Sequence, residues 1–317
     1  MAETGTFIMN ENDSTTDNQE TATRSGFVAL IGAPNAGKST LLNRLVGAKV
    51  SIVTHKVQTT RAMIRGIATH EQTQIVFIDT PGIFRPRRRL DKAMVTTAWG
   101  GARDADVIAF LIDAERGLKG DAEAILAGLK DVKQKKVLVF NKVDRVRPEA
   151  LLELTAKATA DVEFDRVFMI SALNGSGCDD LMSYLADTLP EGPWYYPEDQ
   201  ISDLPMRNLA AEITREKVFL RLHQELPYSV HVETEQWEER KDGSVRIQQV
   251  IYVERDGQKK LVLGHKGGTV KAIGQAAREE LSEILEQKVH LFLFVKVREN
   301  WSNDPERYRE MGLEFPT

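Results

Sequence analysis

The chain has 317 residues, 42% of them hydrophobic and 28% charged, with a formal net charge of −5. That length suits about two domains with ordinary interiors, and the mild acidity excludes a protein that holds nucleic acid by overall charge alone. One cysteine, Cys178, excludes an internal disulfide and suits a reducing cytosol.

The longest apolar runs, such as 107–112 and 291–295, are far shorter than the roughly 20 residues needed to span a bilayer. The amino terminus carries no basic region followed by an apolar stretch, so no signal peptide is expected. Residues 1–24 are rich in Thr, Asn, Glu, Asp and Ser without an apolar pattern, and are expected to form a disordered tail.

An apolar run at 27–33 leads into GAPNAGKS, Gly32 to Ser39, and then a helical pattern at 39–46. Strand, glycine loop and helix in that order form the setting of a phosphate-binding loop. Backbone N–H groups of Gly32, Ala33, Pro34 to Ala36, Gly37 and the helix start at Ser39 and Thr40 converge on one anion; proline contributes no donor. Lys38 places a charge at the β- and γ-phosphates, and the Ser39 hydroxyl is a magnesium ligand. Asn35 reads either as a helix-start cap or as a ligand in the loop.

QTTR, Gln58 to Arg61, lies in a polar segment where a threonine can complete a magnesium shell while γ-phosphate is present. Thr60 is preferred to Thr59. A strand at 65–69 precedes one at 74–79 across a short turn and makes an antiparallel edge. At the end of the latter stands DTPG: Asp79 as a magnesium partner through water, then Thr80, Pro81 and Gly82, whose N–H meets γ-phosphate. The next residue is Ile83, an apolar side chain that cannot orient water. Arg85, Arg87, Arg88 and Arg89 follow, read as an arginine-finger source or as a solvated loop face that meets RNA.

Strands at 107–113, 136–141 and 166–171 alternate with helices at 121–129, 148–160 and 178–189, which implies a parallel sheet with helices on both faces. NKVD ends one strand. Asp144 can accept from the N1–H and 2-amino group of guanine, which adenine cannot match, and a buried polar site left unpaired rejects the wrong ligand by about 10⁴-fold. Asn141 can bond the base N7 and brace the phosphate loop, the Lys142 stem can lie along the purine, and Val143 sits between them. SAL, Ser171, Ala172 and Leu173, ends the last strand with backbone N–H groups for guanine O6.

Residues 190–205 hold four prolines and three aromatics and read as a linker. Beyond it, Leu209, Ile213, Val218 and Leu222 mark a helix. Strands are expected at 228–237, 244–254 and 259–263, with Asp256-Gly257 as a hairpin turn. A helix at 268–287 and a strand at 289–297 complete an α+β domain on a small antiparallel sheet. The stretch from Lys259 to Arg278 contains no acid, and GHKG, Gly264, His265, Lys266 and Gly267, precedes the long helix, with Lys271 one turn on. Two glycines let the loop approach a phosphodiester, and strand–GXXG–helix is the KH arrangement that clamps about four unpaired nucleotides. Phe292 and Phe294 are read as sheet packing rather than base stacking.

GAPNAGKS, QTTR, DTPG, NKVD and SAL in that order, followed by GHKGGTVKAIGQAAREEL, resemble the bacterial Era-like GTPase family over residues 26–317. The resemblance implies an α/β P-loop GTPase domain with a mostly parallel sheet at 25–190, a linker at 191–205 and an α+β type II KH domain at 206–317. It implies GTP/GDP and Mg²⁺ as cofactors, held by Ser39, Thr60 and Asp79, with Lys38, Thr60 and Gly82 acting in hydrolysis. Ile83 fits the family and implies slow intrinsic turnover; Asn35 becomes a candidate potassium ligand. Implied partners are the 3′ end of 16S ribosomal RNA, met by Gly264–Gly267 and Lys271 with Trp301 to Tyr308 assisting, and the immature 30S subunit. The implied location is cytoplasmic, with peripheral contact with the inner membrane, and a monomer is expected. An RNA-binding protein with an idle nucleotide site, and a GTPase of tRNA modification or large-subunit assembly, are the competing readings.

Overall fold

The computed structural model describes residues 22–56, 59–222, 226–299, 301 and 304–316. Most of the expected disordered tail, and Gln58 of QTTR, lie outside the described residues.

Six strands form the first sheet in the order β2-β3-β1-β4-β5-β6. They are β1 (Arg24–Gly32), β2 (Ile64–His70), β3 (Thr73–Asp79), β4 (Val107–Asp113), β5 (Lys135–Asn141) and β6 (Arg166–Ile170). β2 and β3 are antiparallel, as a short turn requires; the other neighbours are parallel. Every residue of β3 and β4 is buried, the signature of strands covered on both faces. On one face lie α1 (Lys38–Val46) and α5 (Cys178–Thr188), whose Leu41, Leu42, Leu181 and Leu185 pack on Val28, Leu30 and Phe77. On the other lie α2 (Arg89–Asp104), α3 (Asp121–Gly128) and α4 (Pro148–Ala158), packed on Ile31, Phe110 and Phe140. Strand order reverses at β1, so the crevice beyond its carboxyl end is where a doubly wound sheet binds ligands.

Helix α2 is absent from the sequence reading. Its Gly100-Gly101 pair and arginine-rich start obscure the periodicity, yet Ala98 and Ala102 are fully buried. The supposed linker is a strap along the β2–β3 side. Gln74, fully buried at the start of β3, donates to the Tyr196 carbonyl (2.8 Å) and accepts from Tyr195 and Tyr196 N–H. Arg65 on β2 pairs with Asp203 at 2.7 Å.

The second domain comprises α6 (Met206–Arg221), β7 (His231–Glu239), β8 (Val245–Val253), α7 (Asp256–Leu263), α8 (Gly268–Ile284), β9 (Val289–Val297) and α9 (Pro305–Glu310). Three expectations need correction. Residues 259–263 are helical: the Gln258 carboxamide oxygen accepts from the Glu254 and Arg255 N–H groups and seals the start of α7, so Asp256-Gly257 opens a helix instead of turning a hairpin. The sheet β7-β8-β9 is mixed, because β9 returns through two helices and pairs parallel with β8. Residues 228–229 belong to a 3-10 turn, and strand β7 starts at His231.

Phe292 and Phe294 also depart from expectation. They stand on the outer face of β9, 44% and 46% exposed, while Val289 and Val295 pack inward. Trp301 and Tyr308 are buried, in a cluster with Leu90, Ala93 and Met94 of α2. They join the two domains and are not available to RNA. Arg89 caps the same seam, with its guanidinium 5.1 Å from the centre of the Phe315 ring.

Candidate nucleotide and RNA sites

The phosphate loop leaves β1 at the switch point and enters α1. Gly37 has φ 97°, and a Cβ there would lie 2.1 Å from the Asn141 amide nitrogen. That nitrogen donates to the Ala36 carbonyl at 2.8 Å, so NKVD braces the loop from the end of β5. Asn35 does not cap α1, whose N-cap is Gly37, contrary to one reading; its amide donates to the His55 carbonyl at 3.1 Å. Lys38 is buried, and its ammonium donates to the carbonyls of Gly32 (3.1 Å) and Ala33 (3.3 Å). Gly82 abuts Pro34, and the Ile83 N–H donates to the Gly32 carbonyl, which sets DTPG against the loop.

Asp79 is fully buried at the end of β3. One carboxylate oxygen accepts from Ser39 (2.6 Å), Ser51 (2.9 Å) and Thr60 (3.3 Å), and Ser39 and Thr60 are 2.9 Å apart. The other oxygen is buried with no partner among the described residues. Burial pushes the Asp79 carboxyl above the usual carboxylate range, opposed by Lys38 and the three hydroxyls. An orphaned carboxylate oxygen beside hydroxyls about 3 Å apart fits Mg²⁺, whose octahedral ligands at about 2.1 Å have that edge spacing. Thr59 points elsewhere, to Thr54 and the Lys56 carbonyl.

Lys142 donates to the Asn35 carbonyl (2.9 Å) and pairs with Asp113 at 2.6 Å. Asp144, in the turn after β5, is exposed and makes no hydrogen bond among the described residues. Two residues grouped with the nucleotide site serve the scaffold instead. The Thr80 hydroxyl donates to the Leu30 carbonyl, and Val143 packs on the core. Of the SAL donors, Ser171 N–H is taken by the Ser176 carbonyl and Ala172 N–H by Asn141, so the expectation that all are free for a base is corrected. Ile83 is buried in the core, turned from the loop's mouth. Sequence reasoning missed Ser51 and Asp113. Asp113 was legible as an acid ending a buried strand; Ser51 had no signal.

Burial lowers the Lys38 ammonium to about 8, although Asp79 opposes the shift. A bound phosphate raises it again. A group whose pKa is lower free than bound takes up a proton on binding above the free value. Nucleotide affinity should therefore be full below about pH 8 and fall by up to about tenfold per pH unit above it. Calorimetry at pH 8.5 in two buffers of different ionisation heat should read net proton uptake; none would remove Lys38 from the phosphate contacts.

In the second domain GHKG joins α7 to α8, so its setting is helix–loop–helix and not the expected strand–loop–helix. Gly264 has φ 73°, and a Cβ there would lie 2.1 Å from the Thr269 hydroxyl, which excludes other residues. His265, Lys266 and Lys271 are exposed, and Lys266 adopts φ 48°. Gly274 lets α8 approach β9, where a Cβ would meet Leu293 at 3.3 Å.

A phosphate loop at the switch point, a buried magnesium-type carboxylate and a base-side NKVD, followed by a GXXG domain, define a P-loop GTPase joined to a KH domain. The family model described as "50S ribosome-binding GTPase" matches residues 27–142, and that of the KH domain matches 225–302. The chain is 78% identical over 294 residues to GTPase Era of Agrobacterium fabrum, covering 93% of each. It is 76% identical to that of Rhizobium meliloti, covering 98% of this chain and 99% of the relative. Era bound to MgGDPNP and nucleotides 1506–1542 of 16S ribosomal RNA superposes with TM-score 0.86 at 39% identity, over 92% of this chain and 99% of that one. Aquifex aeolicus Era bound to GDP and aluminium fluoride gives 0.85 at 38%, over the same shares. The chain belongs to the Era GTPase family.

Proposed function

We propose that this chain hydrolyses GTP with Mg²⁺ and uses the cycle to bind and release the 3′ end of 16S ribosomal RNA on the maturing 30S subunit. The observation that carries this reading is the cluster of Ser39, Thr60 and Asp79 beside Lys38 in a chain that also displays the GXXG loop. The ion would be held by Ser39, Thr60 and Asp79, and would neutralise charge on the β- and γ-phosphates. Lys38 leaves the loop carbonyls to meet phosphate, Gly82 N–H meets the γ-phosphate, and Asp144 selects guanine. With Ile83 in the core, no side chain at that position orients water, so hydrolysis rests on phosphate electrostatics and intrinsic turnover is slow. Gly264–Gly267 and Lys271 hold the RNA backbone. A potassium ion at Asn35, a monomeric state, a cytoplasmic location and peripheral contact with the inner membrane belong to the same proposal. Among the described residues no helix is long and apolar enough to cross a membrane.

The test is GTP turnover by the full chain, with and without RNA of that 3′ end, in potassium and in sodium. Turnover that rises with RNA supports the reading. Absence of turnover under every condition leaves an RNA-binding protein with an idle nucleotide site. Sequencing of RNA crosslinked to the GTP-analogue form identifies the partner, and recovery of tRNA or 23S RNA instead would overturn the 30S assignment.

A further inference from the structure

The loop that carries Thr60 is held by the second domain at both ends. Lys56 donates to the Phe219 and Leu222 carbonyls at the carboxyl end of α6. Arg61 donates to the Val230 carbonyl at 2.7 Å. Between them, Arg215 of α6 donates to the carbonyl of Thr59, the residue next to Thr60. Arg215 is 1% exposed, is gripped by Glu212, and lies 5.1 Å from the centre of the Phe219 ring.

One position along α6, Glu216 is 3% exposed. It accepts from the Val53 N–H (2.9 Å) of the same loop and from Lys49 and Lys217 (2.8 Å each). Lys49 and Lys217 both also pair with Glu280 of α8, the helix that starts at the GXXG loop. Two almost fully buried charges at a domain seam are costly to desolvate, and apolar residues of similar size would hold the seam as well. Their use is directional: each fixes one backbone group of the loop.

We propose that Arg215 is a positioning residue of the nucleotide switch, and that Arg215, Glu216 and Glu280 relay the position of Thr60 to helix α8 and its RNA loop. The proposal rests on the reading of the two sites given above. When Thr60 is drawn to the ion, the Thr59 carbonyl moves with it, and Arg215 carries that movement into α6. The Glu216–Lys49–Lys217–Glu280 network then passes it to α8. By linkage, RNA seated on α8 biases Thr60 by the same free energy.

The test uses the full chain and an RNA oligonucleotide of the 16S 3′ end. RNA affinity is measured in the Mg·GDPNP and Mg·GDP forms, and their ratio is the readout. The parent should show a ratio of about fivefold or more. Arg215→Met and Glu280→Gln should each bring it to about one, their combination no further, and Arg215→Lys should restore part of it. A seam that merely holds the domains together would lower the melting temperature and leave the ratio intact, which overturns the relay. Should Arg215→Met fail to fold, Lys49→Met and Glu280→Gln carry the test, and an unchanged ratio in both overturns it. If the parent binds RNA and nucleotide with no dependence of one on the other, the relay falls while the two sites stand. If it fails to bind either, the reading beneath it falls.

Discussion

Replacing Asp144 with Asn should abolish the preference for guanine and leave the fold untouched. The carboxylate is exposed and free of hydrogen bonds among the described residues, so no stabilising contact is lost. Its melting curve should stay within about 0.5 kcal/mol of the parent. Chemistry at the base changes sharply. A carboxylate offers acceptors to both the N1–H and the 2-amino group, whereas an amide opposes one of those donors with a donor of its own. A site built for a hydrogen-bonded group discriminates by about 10⁴-fold, and loss on that order is expected for GDP. Xanthine carries an oxygen where guanine carries the amine, so XDP should bind the variant better than GDP does. Competition titrations of GDP, XDP and ADP read this directly. Unchanged GDP affinity would place the base elsewhere, and RNA affinity in the nucleotide-free form should not move.

Changing His265 and Lys266 together to Asp should have the opposite profile. Two exposed groups at the tip of the GXXG loop become anionic where the phosphodiester must pass. RNA affinity should fall by on the order of 100-fold at moderate salt, and the dependence of log affinity on log salt should lose about one unit of slope from Lys266 alone. GDP affinity should stay constant. The loop itself should survive, because Lys266 sits at φ 48° and Asp tolerates that region better than most residues. Filter binding at several salt concentrations measures both quantities. RNA affinity that ignores the double change would remove GHKG from the RNA site.

The motifs of the nucleotide site were legible because each lies at the end of an apolar strand and does its work through local backbone. GAPNAGKS curls at Gly37, DTPG ends β3, and NKVD ends β5. Short apolar stretches without such anchors were not legible. KKLVL at 259–263 suits a strand as well as a helix turn, and only the Gln258 cap decides between them. Helix α2 shows the same difficulty, since its outer contacts come from Tyr308 and Leu313, more than 200 positions away in the sequence. Trp301 and Tyr308 read as exposed aromatics near a terminus, but the seam with α2 buries them.

The amino-acid sequence alone determined which ligands this chain is made for. The residues proposed to meet phosphate, guanine and an RNA backbone stand at short spacing, and their local geometry follows from glycine, lysine and carboxylate chemistry. Tertiary structure decided which residues face one another across the domains. Ser51 reaches Asp79, Asp113 anchors Lys142, and Arg215 takes hold of Thr59, each pairing groups that no local pattern links. The reason is that a buried polar group must find a partner wherever the packed chain supplies one, and that position is set by the whole fold.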